Sequence, residues 1–122
     1  MFRVEIKETS KQLTAKERVA VKDTTACVKL DVATQQAPVE IYPDFFAILS
    51  VHNDKATPTD YENYVIADKS GVKYVTGSAS FWSSFEQIAD EMEGTQEEWG
   101  IKAYRVDSKN YKGKQFLTCT VI

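Results

Sequence analysis

The sequence has few of the residues from which catalytic and metal sites are usually built. His52 is the only histidine, and the only cysteines, Cys27 and Cys119, lie far apart and belong to no Cys-x-x-Cys pair. A zinc site needs about four ligands at short paired spacings. A general base needs a positioned nucleophile and an orienting acid, and a phosphate-binding loop needs clustered glycines. None of these patterns is present, so we expect no enzyme activity, no catalytic residue, no metal, no cofactor and no small-molecule substrate.

Long apolar segments are also missing. No apolar run approaches the roughly 18 residues of a membrane span. The segment Met1–Glu8 carries charges at alternate positions and lacks the apolar region of a signal peptide. The expected location is therefore the cytoplasm, without membrane contact and with reduced thiols.

What is present is typical of a small folded protein. The chain has 122 residues, with 43% apolar and 27% charged residues, a length and composition that predict one globular domain spanning residues 1–122. Such a domain can bury a core without a disulfide. Aromatic residues make up 11% of the chain, including six tyrosines, so some tyrosines are expected at the surface.

Charge is distributed unevenly along the chain. The overall net charge is −3. From Gly100 to Lys114, however, five basic residues accompany one acid, whereas Glu86 to Glu98 contains six acids and no base. This segregation indicates one basic and one acidic face, a distribution that matters more for partner choice than the net charge does.

Alternation of apolar and polar residues, which is typical of half-buried strands, predicts most of the chain to be β-structure. We expect two late hairpins, one around Asp68–Gly71 and one around Asp107–Lys114. Thr24–Gln36 is expected to be a loop or an irregular strand. The predicted strands are Phe2–Lys7, Glu17–Lys22, Val39–Val51 with a break near Pro43, Glu62–Ala67, Val72–Thr76, Ile101–Val106 and Gln115–Ile122.

One segment, Phe81–Met92, has helical periodicity. Its apolar residues recur at helical spacing, with Ser78 or Ser80 as the N-cap and Gly94 at the C-terminal end. The order of strands, a hairpin, one helix and a final hairpin predicts a mainly β, five-stranded OB-like barrel, in which the helix lies between the third and fourth strands. A β-grasp fold or another small α+β roll would produce a similar order of elements.

The segment Ser108–Lys114 is the strongest candidate for a binding site. Lys109, Lys112 and Lys114 surround Tyr111 in a loop that contains Gly113. Ammonium groups neutralise phosphates and release counterions, and an aromatic plane stacks on an unpaired base. The pattern therefore favours single-stranded DNA as the partner, although the same residues also occur in ordinary solvated turns.

Further candidate residues lie on the flanking strands and on the earlier hairpin. Phe116 is either an exposed stacking residue or a packed one, and only one of Tyr104 and Arg105 can face a ligand on the sheet. On the earlier hairpin, the aromatic and basic residues are either sheet packing, with Tyr64 and Tyr74 as a cross-strand pair, or a second stacking platform. These earlier residues are Tyr61, Tyr64, Lys69, Lys73 and Tyr74.

The stretch from Tyr64 through Ser78 (YVIADKSGVKYVTGS), the helix and Tyr111–Thr118 (YKGKQFLT) together resemble small single-stranded DNA-binding proteins. That family is encoded by phages and conjugative plasmids of Gram-positive bacteria. The resemblance implies an OB fold, sequence-tolerant binding of single-stranded DNA in replication or transfer, and self-association along the strand. The residues it favours for DNA binding are Tyr64, Tyr74, Tyr111, Lys112, Lys114 and Phe116.

A protein–protein interaction module is the alternative interpretation. The acidic stretch Asp90–Glu98 at the end of the helix could face a basic partner. Ionic strength discriminates the two functions, because affinity for DNA falls steeply with salt whereas an apolar protein interface changes little.

Overall fold

The computed structural model describes residues 1–122, and it confirms that the chain is mainly β. Eight strands and three α-helices follow one another along the sequence. Their bounds are β1 (Phe2–Thr9), α1 (Ala15–Lys22), β2 (Val28–Lys29), α2 (Leu30–Ala33), β3 (Val39–Ile41), β4 (Pro43–Asn53), β5 (Asp60–Asp68), β6 (Lys73–Thr76), α3 (Ala79–Met92), β7 (Ile101–Asp107) and β8 (Gln115–Val121).

The strands form two open sheets rather than one five-stranded barrel. The first sheet has the order β1-β4-β5-β6-β2, and the second has the order β3-β7-β8. The run Val39–Val51, predicted as one broken strand, contributes β3 to the second sheet and β4 to the first. Helix α3 consequently lies between the sixth and seventh strands, not between the third and fourth.

The chain folds into two compact units that are interleaved in sequence. The first unit comprises Met1–Val28 and Pro43–Gly77, and the second comprises Lys29–Tyr42 and Ser78–Ile122. The first unit therefore contains nearly all of the five-stranded sheet, and the second contains the three-stranded sheet and α3.

In the first unit, alternate residues of β4 and β5 build the core. Leu49 and Val65 are fully buried there, together with Val21 of α1. Residues Glu17–Lys22, predicted as a strand, are in fact part of helix α1. A capping box explains the helix: the Thr14 hydroxyl accepts from the Glu17 amide (3.2 Å), and the Thr14 amide donates to the Glu17 carboxylate (2.9 Å). The short alternation of Val19 and Val21 is too brief to separate the two periods.

The second unit is built around α3. Ser78 is the N-cap and accepts from the Phe81 amide at 3.2 Å, while Gly94 follows the helix end at a φ of +82°. The predicted helix is thus confirmed, beginning two residues earlier than expected. Phe81 and Phe85 are fully buried, and Trp82 is buried too, with its ring centroid 4.9 Å from that of Phe85.

Candidate nucleic-acid interface

Strands β7 and β8, which the sequence predicted, form a hairpin whose two faces differ in burial. Residues Tyr104 and Thr118 are directly opposite each other, as are Val106 and Phe116. Because side chains alternate along a strand, these four residues lie on one face. The other face carries the buried side chains Ile101, Ala103, Leu117 and Cys119.

Phe116 lies on the less buried of these two faces. Its side chain is 43% exposed, whereas its neighbour Leu117 is 3% exposed. The sequence left open whether Phe116 is packed or exposed, and the structure shows that it is exposed. An exposed aromatic ring on a strand is a surface on which a planar ligand can stack.

The loop 108–114 holds its aromatic residue in solvent. Three hydrogen bonds close the loop, from the Ser108 amide to the Lys114 carbonyl (2.8 Å), from the Lys114 amide to the Tyr111 carbonyl (3.1 Å) and from the Tyr111 amide to the Ser108 hydroxyl (3.3 Å). Gly113 adopts a φ of +81°, which a side chain would disfavour. The side chain of Tyr111 is 65% exposed, and the Lys114 ammonium lies 5.9 Å from its ring centroid.

The lysines of this loop are free to bind anions. Lys109, Lys112 and Lys114 are exposed, and none forms an ion pair with a carboxylate of the chain. The nearest acid in sequence, Asp107, accepts instead from the Gln115 amide side chain at 3.1 Å. Three positive charges without an ion-pair partner therefore lie in the same short loop as one exposed aromatic ring.

A cavity of about 460 Å³ opens beside the same strands. Tyr104 and Lys102 line it from β7, and the turn that precedes β3 forms its opposite wall. Its lining residues are Thr34, Gln35, Gln36, Ala37, Pro38, Lys102, Tyr104, Arg105, Gln115 and Thr120. An aromatic ring, an ammonium group and amide side chains are thus brought together in a space large enough for a small planar group.

Arg105, predicted to contact nucleic acid, is hydrogen-bonded to the segment that precedes β3. Its Nε donates to the Thr34 hydroxyl at 3.2 Å, and its Nη2 donates to the Asp31 carbonyl. The Thr34 hydroxyl in turn donates to the Leu30 carbonyl at 2.6 Å. The guanidinium therefore ties the turn to β7 and shapes the cavity wall, which leaves Tyr104 as the residue of the pair that faces outward.

The tyrosines of the β5–β6 hairpin do not form the predicted cross-strand pair. Tyr64 is opposite Thr76, and Tyr74 is opposite Ile66. Tyr64 is 8% exposed, and its hydroxyl donates to the Glu62 carboxylate at 3.3 Å. Tyr74 is half-buried, and this burial raises the pKa of its phenol. Tyr64 therefore packs in the sheet, whereas Tyr61 and Tyr74 are partly accessible.

Lys73 is engaged within the first unit. Its ammonium donates to the Ala20 carbonyl at 2.9 Å, near the end of helix α1, where a cation also complements the helix dipole. Of the predicted binding residues, the structure brings together those on β7, on β8 and in the loop between them. Those from the earlier hairpin belong to the other unit, namely Tyr61, Tyr64, Lys69, Lys73 and Tyr74.

Sequence reasoning missed Lys102, Gln115 and the turn Thr34–Pro38. The period of two along β7 was a usable signal for Lys102, since it places this residue on the face of Tyr104. The turn carried no such signal, because its position next to β7 depends on pairing between β3 and β7, with Val39 opposite Ala103.

The remaining reactive groups are engaged or buried. Cys27 and Cys119 are free and buried, and burial raises the pKa of Cys119 to about 12, so this thiol stays protonated at neutral pH. His52 lies between Asp60 (2.7 Å) and Asp54 (2.6 Å). No cluster of three or more His, Cys, Asp or Glu side chains could hold a metal ion.

None of the three helices has the length and hydropathy that crossing a bilayer requires.

Comparisons of the chain with protein-family models, with curated proteins and with solved structures give no match.

Proposed function

We propose that this protein binds single-stranded DNA through the β7–β8 hairpin. The observation that carries the proposal is the exposed Tyr111 ring in a loop with three lysines that form no ion pair, on the same hairpin as the exposed ring of Phe116. Both chemistries that single-strand binders combine are therefore available on one element.

Phosphate neutralisation supplies the sequence-independent part of the affinity. Lys109, Lys112 and Lys114 replace counterions along the strand. Each phosphate contact makes the fall of log affinity with log salt concentration steeper by about 0.7 for single strands. The acidic run beyond α3 repels the same backbone, so the strand is held on the basic hairpin.

Base stacking supplies the preference for unpaired strands. Tyr111 and Phe116 offer exposed rings, and Tyr104 offers a third ring at the cavity wall. Stacking on an aromatic side chain contributes about 1–3 kcal/mol per base and tolerates any base. Duplex DNA keeps its bases stacked internally, so it gains only the electrostatic part.

The wider role is part of the same proposal. The resemblance to phage and plasmid proteins supports a cytoplasmic function in DNA replication or transfer, with OB-type strand binding and self-association of several copies along one strand. The mainly β architecture is compatible with this role, and neither a cofactor nor a catalytic residue is required for it.

Fluorescence anisotropy of labelled oligo-dT tests the proposal. An oligonucleotide of about thirty nucleotides exceeds the site size of ~4–16 nucleotides typical of one OB fold. We expect tight binding at about 50 mM salt, a loss of one or more orders of magnitude at about 200 mM salt, and weaker binding to duplex of the same length.

Matched variants make the test specific. Tyr111→Ala is compared with Phe2→Ala, since Phe2 is an aromatic residue of equal exposure (64%) outside the site. Lys112→Gln is compared with Lys69→Gln, an exposed lysine at the tip of the other hairpin. The proposal predicts weaker binding for the site variants only. Absence of binding at micromolar protein and low salt would refute it.

A further inference from the structure

A second groove lies between β8 and α3, with a volume of about 420 Å³. Apart from Thr120, which borders both cavities, its lining residues are not part of the candidate DNA interface. They are Ser84, Gln87, Ile88, Glu91, Met92, Cys119, Thr120 and Val121.

The strand side of this groove is an unpaired sheet edge. Strand β8 is the last in its sheet. Gly100 and Ile122 exchange both backbone hydrogen bonds, at 3.2 and 2.9 Å. Hydrogen-bonded and non-hydrogen-bonded pairs alternate in an antiparallel ladder. Val121 and Cys119 lie one and three residues before Ile122, so both belong to non-hydrogen-bonded pairs. Their amide and carbonyl groups therefore point away from β7, toward the groove.

The earlier part of this edge is closed by the helix. The Ser80 hydroxyl contacts the Leu117 carbonyl at 3.5 Å, which also confirms that odd-numbered residues of β8 point their backbone groups outward. The open edge is therefore limited to the end of the strand, from Cys119 to Ile122.

The helix side of the groove is a second face of α3. Ser84, Gln87, Ile88 and Glu91 recur at helical spacing, next to the buried stripe that contains Phe85 and Ala89. Ile88 and Met92, two of the apolar residues that recur at helical spacing, are only half-buried and line the groove. The apolar surface of α3 thus extends beyond the residues that the core buries.

The charge of the groove has one sign. Glu91 lines it, the exposed acids Asp90 and Glu93 adjoin its lining residues in sequence, and no lysine or arginine is among its lining residues. A ligand with a positive charge is therefore favoured at the end of the groove near Glu91.

We propose that this groove binds an extended peptide segment with alternating apolar and basic side chains, which adds to the sheet as a strand beside Cys119–Ile122. Its backbone pairs with the outward groups of Cys119 and Val121, and the apolar side chains on one face of the peptide contact Ile88 and Met92. A lysine or arginine on the opposite face reaches the exposed carboxylate of Glu91 with its long, flexible side chain. Addition of a strand to an exposed sheet edge is an established mode of peptide recognition.

A second copy of this chain fits the groove less well than such a peptide. Strand β8 of another copy, Gln115–Val121, contains no lysine or arginine to face Glu91. The open edge from Cys119 to Ile122 is also shorter than the seven residues of β8, since the helix contacts the edge at Leu117.

The probe is an acetylated and amidated peptide, Lys-Val-Lys-Val-Lys-Val, titrated into ¹⁵N-labelled protein. We expect amide shifts at Cys119–Ile122 and at Ile88 to Met92, with no shift in the loop 108–114. A control peptide, N-methylated at alternate residues on the pairing edge, cannot donate to β8 and should not bind. Equal binding of the methylated peptide, or no shift at millimolar peptide, overturns the proposal.

A charge swap tests the contribution of the acid. Glu91→Lys should weaken binding of the lysine peptide about three- to tenfold and strengthen binding of the corresponding Glu-Val peptide. Glu93→Lys changes the same charge outside the lining of the groove and should have a smaller effect. Concentration-dependent shifts at Cys119–Ile122 without any peptide would identify a second copy as the occupant and overturn the peptide assignment. All these readouts are independent of DNA binding.

Discussion

The two late hairpins of this protein have similar compositions but use their residues differently. Both combine tyrosines with lysines. In the β5–β6 hairpin, Tyr64 is buried and the Lys73 ammonium donates to the Ala20 carbonyl. In the β7–β8 hairpin, Tyr111 is exposed and the lysine charges are unpaired. Composition thus marks both hairpins as candidates, and only exposure separates them.

The length of the connection accounts for part of the difference. Residues 69–72 connect β5 to β6, so the tyrosines of that hairpin lie within its strands. Residues 108–114 connect β7 to β8, and Tyr111 lies in the middle of this longer loop. A residue at a loop tip is available to a ligand, whereas a residue within a strand packs against its sheet.

The largest expected effect is on stability, for a substitution in the β5–β6 hairpin. Tyr64→Ala removes a buried aromatic side chain, so we expect a loss of about 3–5 kcal/mol in the free energy of unfolding, measured by urea titration. Single-strand affinity of the folded fraction should not change. A loss below 1 kcal/mol together with weaker DNA binding would place Tyr64 in the site.

In the β7–β8 hairpin we expect the opposite pattern, a loss of DNA affinity with little change in stability. Tyr111→Ala should reduce the affinity for oligo-dT by about 1–3 kcal/mol, because a stacking plane is lost. Its unfolding free energy should change by less than about 0.5 kcal/mol, since the side chain lies at the surface. Unchanged affinity in anisotropy titrations would remove Tyr111 from the interface.

The lysines extend the comparison to charge. Replacing Lys109, Lys112 and Lys114 by glutamine should reduce the slope of log affinity against log salt by about 2, from about 0.7 per phosphate contact. Lys73→Gln should leave that slope unchanged and instead cost about 1 kcal/mol of stability, because it removes the bond to the Ala20 carbonyl. The opposite pattern would exchange the roles assigned to the two hairpins.

The smallest effect is a pH dependence of stability in the first unit. Hydrogen bonds to Asp60 and Asp54 raise the pKa of His52 above its ordinary 6.5. The resulting stabilisation is complete below that value and is lost as pH rises through the folded-state pKa. The pKa of Asp60 is lowered mainly by its hydrogen bond with His52. The contribution of Asp60 to the free energy of unfolding is therefore lost only as pH falls through that lowered pKa. His52→Asn should flatten the alkaline side of the stability profile in urea titrations, while affinity for DNA stays unchanged.

Local patterns in the sequence predicted the elements that short-range rules determine. The helix Phe81–Met92 and both hairpins were found because helical spacing, the N-cap Ser78 and turn glycines act within a few residues. The assignment of β3 and β4 to different sheets was missed, because it depends on pairing between distant strands. The same dependence on distant pairing explains why the sequence did not predict the position of the turn Thr34–Pro38 beside Tyr104.

Mapping of the oligo-dT footprint by amide chemical shifts tests the central claim most directly, namely that the second hairpin and not the first contacts the strand. ¹⁵N-labelled protein is titrated with oligo-dT at low salt, and shifts are compared between residues 108–116 and residues 64–76. We predict that the largest shifts fall on Lys109–Phe116, with smaller ones at Lys102 and Tyr104. Shifts concentrated on Tyr64–Thr76, with the loop 108–114 unaffected, would contradict this account.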